Sequence, residues 1–219
     1  MSGEPGDRAS PGSGDAFGRV LTPVPPTRAS TARKLKALTG AVPTAADLVL
    51  VGDSLAAGWP PDLLAEAAPG RRAFNFGLPG DRVQNTLWRL GQGAVAHLRP
   101  RHAVVVLGTN NLGDGDPPDA ILRGILEVLA LARRLWGGPD AVAVTVPWRG
   151  DIERETDRQR LNAALLEALA PLSWARAVDA DTWLGVGTEA LPRLEPDRVH
   201  VNAAGYDRLG AALREVLEP

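Results

Sequence analysis

The sequence predicts an α/β fold, a three-layer α/β/α sandwich on a mostly parallel, five-stranded sheet. Short apolar runs alternate along the chain with longer segments of helical period. Such alternation produces βαβ crossovers, which place helices on both faces of parallel strands. A chain of 219 residues, 44% hydrophobic and 23% charged, has the size and balance of one globular domain.

The predicted strands are the short apolar runs. Continuous runs without polar alternation are typical of parallel strands buried on both faces. The runs cover residues 48–51, 73–76, 103–107, 141–146 and 175–178, the last being the weakest. A sheet of about five strands follows from this count.

The predicted helices fill the intervals between the runs. Apolar residues near helical spacing mark segments 30–38, 55–67 with a break at Pro60 and Pro61, 83–90, 120–136, 158–169 and 203–217. Residues 1–27 are rich in Gly, Pro and Ser and lack an apolar period. We therefore predict a disordered arm over 1–27 and a single domain of flavodoxin-like layout over 28–219.

Charge and composition narrow the functional classes. The net charge of −2 offers no basic surface for nucleic acid. No apolar run reaches membrane-spanning length and the first residues carry no apolar signal segment, so we expect a cytoplasmic chain without a membrane span. The absence of cysteine excludes disulfides, thiolate zinc sites and a cysteine nucleophile.

Polar residues suited to acyl transfer follow three predicted strands and precede the last helix. The segments are Gly-Asp-Ser at 52–54, Asn-Phe-Gly-Leu-Pro-Gly-Asp at 75–81, Gly-Thr-Asn-Asn at 108–111 and Asp-Arg-Val-His at 197–200. Ligands of such sheets bind at the carboxyl ends of the strands. We therefore expect these segments to meet at one edge of the sheet.

Each segment can supply one part of a serine hydrolase site. Ser54 is the candidate nucleophile and His200 the candidate base, with Asp197 near enough in sequence to orient the imidazole. The backbone N–H groups of Ser54 and Gly80 and the side-chain amide of Asn110 are candidate donors to an oxyanion.

Each segment alone also has a plainer interpretation. Gly-Asp-Ser after a strand is commonly a turn with a helix cap, and Gly-Thr-Asn-Asn is commonly a turn. Asp-x-x-His before a helix is often a capping element. The occurrence of all four segments in this order, at successive strand ends, favours catalysis.

Taken together, the segments resemble the four blocks of the SGNH (GDSL-like) hydrolases, and the likeness extends from about residue 31 to 217. The matching blocks are 49–55 with Ser54, 75–81 with Gly80, 106–111 with Asn110, and 197–206 with Asp197 and His200. Within that family, segments 75–81, 87–90 and 108–111 are most similar to the catalytic subunits of intracellular platelet-activating-factor acetylhydrolase.

The resemblance implies a serine esterase that hydrolyses small, short-acyl carboxylic esters through an acyl-enzyme on Ser54, without a metal or organic cofactor. Two alternatives stay open. One is an acyltransferase that uses the same residues with an acceptor other than water, and the other is a non-catalytic binding domain. Segments 147–154 and 181–196 match no substrate-defined subgroup. The lack of a long apolar insertion favours small substrates.

Several further residues have two interpretations. Trp59, Trp148 and Trp183 either line an acyl pocket or pack in the core. We interpret His97 and His102 as surface or packing residues, because they precede a strand at the amino edge of the sheet. We interpret Asp53 as a brace for neighbouring loops. The acidic cluster of Asp114, Asp116 and Asp119 is interpreted as a solvated loop and helix start.

The family resemblance also bears on assembly. The acetylhydrolase subunits pair, which implies a homodimer here, and Leu35 and Leu38 give the first predicted helix an apolar side. The alternative is a monomer in which these leucines cover the edge of their own sheet.

Overall fold

Five parallel strands form one sheet in the computed structural model, which describes residues 13–218. The strands are β1 (Leu48–Gly52), β2 (Ala73–Gly77), β3 (His102–Val106), β4 (Asp140–Val144) and β5 (Ala175–Val178). Their order across the sheet is β2-β1-β3-β4-β5, and every neighbouring pair is parallel. This is the flavodoxin-like order, and the predicted fold class is confirmed.

The α-helices lie before, between and after the strands. They are α1 (Ser13–Leu21), α2 (Ala29–Gly40), α3 (Ser54–Ala57), α4 (Pro61–Ala67), α5 (Val83–Gly91), α6 (Thr109–Gly113), α7 (Pro118–Leu135), α8 (Glu155–Leu169), α9 (Ala180–Leu184) and α10 (Ala203–Leu217). Two 3₁₀ turns, Gly187–Glu189 and Leu191–Arg193, lead toward the last helix. Within the described range, no helix has both the length and the apolar character needed to cross a bilayer.

Alternate side chains of β1 supply the two cores of the sandwich. Val49 and Val51 are fully buried in the core that also contains side chains of α5, α7 and α8. Leu48 and Leu50 are fully buried in the opposite core, with side chains of α3, α4 and α10. Because both faces of β1 are covered, its sequence is apolar at every position instead of alternating.

The register of the sheet brings the carboxyl ends of the strands level. Gly52, the last residue of β1, is paired with Gly77 on one side and Val106 on the other. A Cβ atom on Gly52 would lie 1.9 Å from the Val106 carbonyl oxygen, so a larger residue does not fit there. Glycine thus permits the close approach from which the chain turns into α3 and presents Ser54 at this edge.

The N-terminal segment differs from the sequence prediction. Residues 13–21 form α1, and Val20 is fully buried beside Val83 and Gly124. The following loop is also held, because the Val24 N–H donates to the Gln84 carbonyl at 3.2 Å. The structure thus gives residues 13–21 as a helix and 22–27 as a loop held against α5, where the sequence predicted a disordered arm; residues 1–12 lie outside the described range.

The two histidines interpreted as surface or packing residues lie away from the carboxyl edge. His102 begins β3 at the amino edge of the sheet, in register with Leu48 and Asp140. His97 is hydrogen-bonded through Nε2 to the Pro43 carbonyl at 2.9 Å. Both positions agree with the sequence interpretation.

Candidate active site

Three of the predicted site residues form a continuous hydrogen-bonded chain at the carboxyl edge of the sheet. His200 Nε2 lies 3.0 Å from Ser54 Oγ, and His200 Nδ1 lies 2.6 Å from Asp197 Oδ2. Ser54 is the first residue of α3 and is half-buried, whereas His200 and Asp197 stand in the loop before α10. The spacing matches that of a nucleophile, a base and a carboxylate that orients the base.

The loop that carries His200 is built around the Asp197 carboxylate. Oδ1 of Asp197 accepts hydrogen bonds from the backbone N–H groups of Val199 and His200, at 2.9 and 3.0 Å. The hydrogen bond from the His200 ring, together with these N–H groups, lowers the pKa of Asp197 to about 2. The carboxylate is therefore ionised at neutral pH and accepts the proton on Nδ1, which leaves the Nε2 lone pair facing Ser54.

Hydrogen-bond donors without acceptors lie at the ends of β1 and β2. Within residues 13–218, neither the Ser54 N–H nor the Gly80 N–H has a hydrogen-bond acceptor. Gly80 has a φ of +84°, a conformation that favours glycine, and open space lies where its Cβ would be. Asn110 Nδ2 donates one proton to the Asp81 carbonyl at 2.8 Å and keeps a second for a ligand.

Asp53 braces the turn before Ser54, as the sequence indicated. Its side chain is fully buried, and Oδ1 accepts the Leu55 N–H at 2.9 Å, which caps α3. Oδ2 has no partner in the part of the chain that the structure describes. Burial raises the pKa of Asp53 to about 7, because the charged form loses its hydration, and the nearby Asp81 carboxylate raises it further.

A buried ion pair supports the loop that contains Gly80. Arg89 Nε donates to Asp81 Oδ2 at 2.6 Å, and both side chains are fully shielded from solvent. Arg89 also donates to the carbonyls of Phe76 at 3.0 Å and Gly52 at 3.4 Å. One guanidinium thus joins the ends of β1 and β2 to the following loop. The sequence analysis missed this role, although Asp81 and Arg89 both stand in the quoted motifs.

Two more polar side chains hold α3 in place, and the sequence analysis assigned neither of them. Asn75 Nδ2 donates to the Ala56 carbonyl at 2.7 Å, and Tyr206 donates its hydroxyl to the Leu55 carbonyl at 2.8 Å. Both lie within the family-like blocks, and their position there was the signal that could have found them. Together they fix the short helix that begins with Ser54.

The three tryptophans have different surroundings. Trp59 is only 2% exposed and packs against Tyr206 with ring centroids 5.4 Å apart, so it is a core residue and not a pocket wall. Trp148 is half-buried next to Gly150, whose N–H donates to the Arg198 carbonyl in the Asp197–His200 loop. Trp183 packs on the same core as Trp148, with the Arg208 guanidinium 6.0 Å from its ring.

Each carboxylate of the acidic cluster that follows α6 forms an ion pair with an arginine. Asp114 pairs with Arg82, Asp116 with Arg19, and Asp119 with Arg160. No group of three or more His, Asp or Glu side chains in the described part of the chain is arranged to hold a metal ion.

The comparison of sequences decides the family. The profile of the GDSL-like lipase/acylhydrolase family matches residues 22–208. The chain belongs to this family. As a GDSL-type hydrolase it is similar to the platelet-activating factor acetylhydrolase IB subunit alpha1 of Rattus norvegicus, with 30% identity over 176 residues, 78% of this chain and 75% of the relative. The family identifies the chain as an esterase.

Solved structures share the fold of this GDSL-type hydrolase. A GDSL-like lipase from Bacteroides thetaiotaomicron superposes with a TM-score of 0.69 at 20% identity, covering 85% of this chain and 96% of that one. A carbohydrate acetylesterase from Sinorhizobium meliloti superposes with a TM-score of 0.63 at 19% identity, covering 78% of this chain and 97% of that one.

Proposed function

We propose that this GDSL-type hydrolase cleaves short-acyl carboxylic esters through an acyl-enzyme on Ser54. The observation that carries the proposal is the contact between Ser54 Oγ and His200 Nε2 at 3.0 Å, with Asp197 2.6 Å from the other ring nitrogen. A serine in hydrogen-bond reach of an oriented imidazole is activated as a nucleophile.

The proposed reaction has two halves. His200 Nε2 accepts the Ser54 proton while Oγ bonds to the ester carbonyl carbon, and the imidazolium then gives that proton to the departing alcohol. Water next adds to the acyl-enzyme with His200 as base, and collapse of that intermediate releases the carboxylic acid and returns the proton to Ser54 Oγ. Asp197 stays ionised throughout and stabilises the imidazolium.

The donors without acceptors would serve the oxyanion that forms in both halves. We assign the N–H groups of Ser54 and Gly80 and the second amide proton of Asn110 to this role. Such donors act mainly in the transition state, because the carbonyl oxygen gains its negative charge there. Their fixed placement by Asp81 and Arg89 avoids reorganisation during the reaction.

The names of the related proteins favour acetyl or similarly short acyl groups. The rat relative is an acetylhydrolase and one structural neighbour is a carbohydrate acetylesterase. In this chain, Trp148 lies beside Gly150, whose N–H bonds the Asp197–His200 loop, and we propose that its bulky ring limits the room for a long acyl chain. We assign Trp148 and Trp183 to the acyl end of the site.

Solvent access favours hydrolysis over transfer to another acceptor. The side chains of His200 and Asp197 are 44% and 49% exposed, so water reaches the base without opening a lid. Transfer needs an acceptor that outcompetes water at the acyl-enzyme. Partitioning of product between acid and a new ester, with glycerol added at rising concentration, distinguishes the two reactions.

A substrate series tests the proposed function. p-Nitrophenyl esters with acyl chains of two to twelve carbons should show the highest kcat/KM for the shortest acyl groups. A fluorophosphonate should label one peptide, the one containing Ser54, and Ser54→Ala should remove both the label and the activity. Labelling elsewhere, or full turnover by a folded Ser54→Ala variant, overturns the assignment.

We propose in addition that the protein forms a homodimer through the exposed side of α2. Leu35 of α2 and Trp88 of α5 line a shallow cavity of about 330 Å³ on that side, whereas Leu38 packs onto the core of its own chain. Light scattering on the wild type and on Leu35→Asp tests this, with Lys34→Asp as the control. A monomeric wild type contradicts the proposal.

A further inference from the structure

A cavity of about 300 Å³ lies between the Gly80 loop and the N-terminal segment. Its walls are formed by Gly80, by the start of α5 and by residues 24–31, which lead into α2. Gly80 also supplies an N–H to the proposed oxyanion hole. The cavity and the proposed oxyanion hole therefore share the Gly80 loop.

The walls of the cavity are held by hydrogen bonds that do not involve a ligand. Asn85 Nδ2 donates to the Val24 carbonyl at 3.1 Å, which fastens the N-terminal segment to α5. Arg82 is part of the cavity wall. Its guanidinium is already bonded within the protein, because it pairs with Asp114 and donates Nη1 to the Gly80 carbonyl at 3.0 Å. The cavity is thus preformed, which reduces the ordering that ligand binding requires.

Three polar side chains that line this cavity keep unused donors. Thr31 is 8% exposed, and its hydroxyl has no hydrogen-bond partner within residues 13–218. Gln84 is 7% exposed and uses Oε1 to accept from Asn111, which leaves its Nε2 unpaired among the described residues. The Arg28 guanidinium likewise makes no ion pair or hydrogen bond in the described part of the chain.

The charge of this surface is positive. Among the residues that the structure describes, no Asp or Glu side chain lines the cavity. Arg28 immediately precedes α2, whose first turn has no side-chain cap and no acidic residue, so its free N–H groups add partial positive charge. Unused donors and positive charge together fit a group rich in acceptor oxygens.

We propose that this cavity binds an anionic group, a carboxylate or a phosphate, carried by the ester on which Ser54 acts. Arg28 supplies the charge, and Thr31 and Gln84 supply directed hydrogen bonds. The inference rests on the proposed esterase function for the identity of the substrate, although binding of the anion itself does not require catalysis. It gives the N-terminal segment a role in selecting charged esters over neutral ones.

Calorimetry tests the site without turnover. The probes are glycerol 3-phosphate and 3-hydroxypropanoate, which are alcohols bearing a phosphate and a carboxylate, with glycerol as the neutral counterpart. Either anion should bind more tightly than glycerol. Arg28→Gln should weaken that binding by about tenfold or more, as expected for loss of a charge-assisted hydrogen bond.

Arg33→Gln is the matched control, since it removes the same charge from an exposed position of α2 outside the cavity. It should bind the anions as the wild type does. Equal binding of all three probes, or equal losses in the two variants, overturns the inference.

Kinetics then separate this inference from the function itself. Acetyl esters of the same two anionic alcohols should have a higher kcat/KM than propyl acetate, mainly through KM, and Arg28→Gln should reduce that preference. Hydrolysis of all three esters at equal kcat/KM overturns the anion site and leaves the esterase standing. Tight binding of glycerol 3-phosphate without hydrolysis of any ester keeps the site and overturns the proposed function.

Discussion

The Arg89 guanidinium donates to the Asp81 carboxylate at 2.6 Å inside the protein, with both side chains fully shielded from solvent. The backbone carbonyl of Asp81 in turn accepts the Asn110 amide at 2.8 Å. The ion pair therefore links two of the proposed oxyanion donors, Gly80 and Asn110, to the ends of β1 and β2. Four separate segments of the chain meet at this pair.

Arg89→Met should therefore damage both stability and turnover. Removing one partner leaves the Asp81 charge buried and unpaired, which costs about 3–5 kcal/mol in the free energy of unfolding. Urea unfolding and kcat on p-nitrophenyl acetate measure the two effects. Arg158→Met is the control, because Arg158 is also buried and paired, with Glu155 and Asp181. A similar loss of stability with a smaller loss of kcat is expected for Arg158→Met, and equal losses of kcat contradict the positioning role.

Asn110→Ala should lower kcat by about 10²–10³-fold with little change in KM, because an oxyanion donor acts mainly in the transition state. Steady-state kinetics on a short ester measure the split. Asn111→Ala is a poor control, since Asn111 is buried and bonds Val83, Gln84 and Asp116. Asn162→Ala, which removes a buried amide of α8 that bonds the backbone of Val146, serves better. If the variant raises KM and leaves kcat unchanged, Asn110 is a substrate-binding residue and not an oxyanion donor.

His200→Ala should reduce kcat by about 10³-fold or more, and Asp197→Asn should be less damaging, because the imidazole remains but loses its preferred tautomer. The comparison is made on the same short ester, with circular dichroism to confirm folding. If Asp197→Asn retains full activity, the 2.6 Å contact between Asp197 and His200 Nδ1 is not needed to orient the imidazole for catalysis.

Asp53 should make the wild type less stable as pH rises. Its folded pKa of about 7 lies above the ordinary 3.8, so the folded state holds the proton more tightly. Its contribution is greatest below pH 4 and is lost as pH rises through 7. Asp53→Asn removes this titration. The difference in melting temperature, wild type minus Asp53→Asn, should fall between pH 5 and 8, and a constant difference contradicts the raised pKa.

The sheet could be predicted from sequence because burial on both faces leaves a local trace. Residues 48–51 and 103–107 are apolar at every position, as parallel strands covered on both faces require. The four site segments were predictable for a similar reason, since each follows a strand or precedes a helix. Parallel register then brings distant segments such as those of Ser54 and His200 to the same edge.

What the sequence could not predict depends on contacts between distant segments. α1 is stable against the body of the protein because Val20 fits beside Gly124, more than a hundred residues away, and nothing near Val20 indicates this. Arg89 lies in α5 and Asp81 in the loop before it, so their pairing depends on how that loop folds back onto the helix. Trp59 follows α3 near the carboxyl edge of the sheet, but it packs in the core against Tyr206, which is 147 residues away in the chain.

The acid–base pair of the proposed site is assembled locally. Asp197 and His200 are three residues apart, and the Glu195 N–H donates to the His200 carbonyl at 2.7 Å, so their loop closes on itself. The contact from Nε2 to Ser54 Oγ spans 146 residues of the chain, and the Gly150 N–H also holds the loop through the Arg198 carbonyl. Thermal fluctuation of this loop, on the nanosecond to microsecond scale of surface loops, separates the base from the nucleophile while the base keeps its carboxylate. We therefore expect warming below the unfolding transition to lower the activity reversibly, through separation of His200 from Ser54.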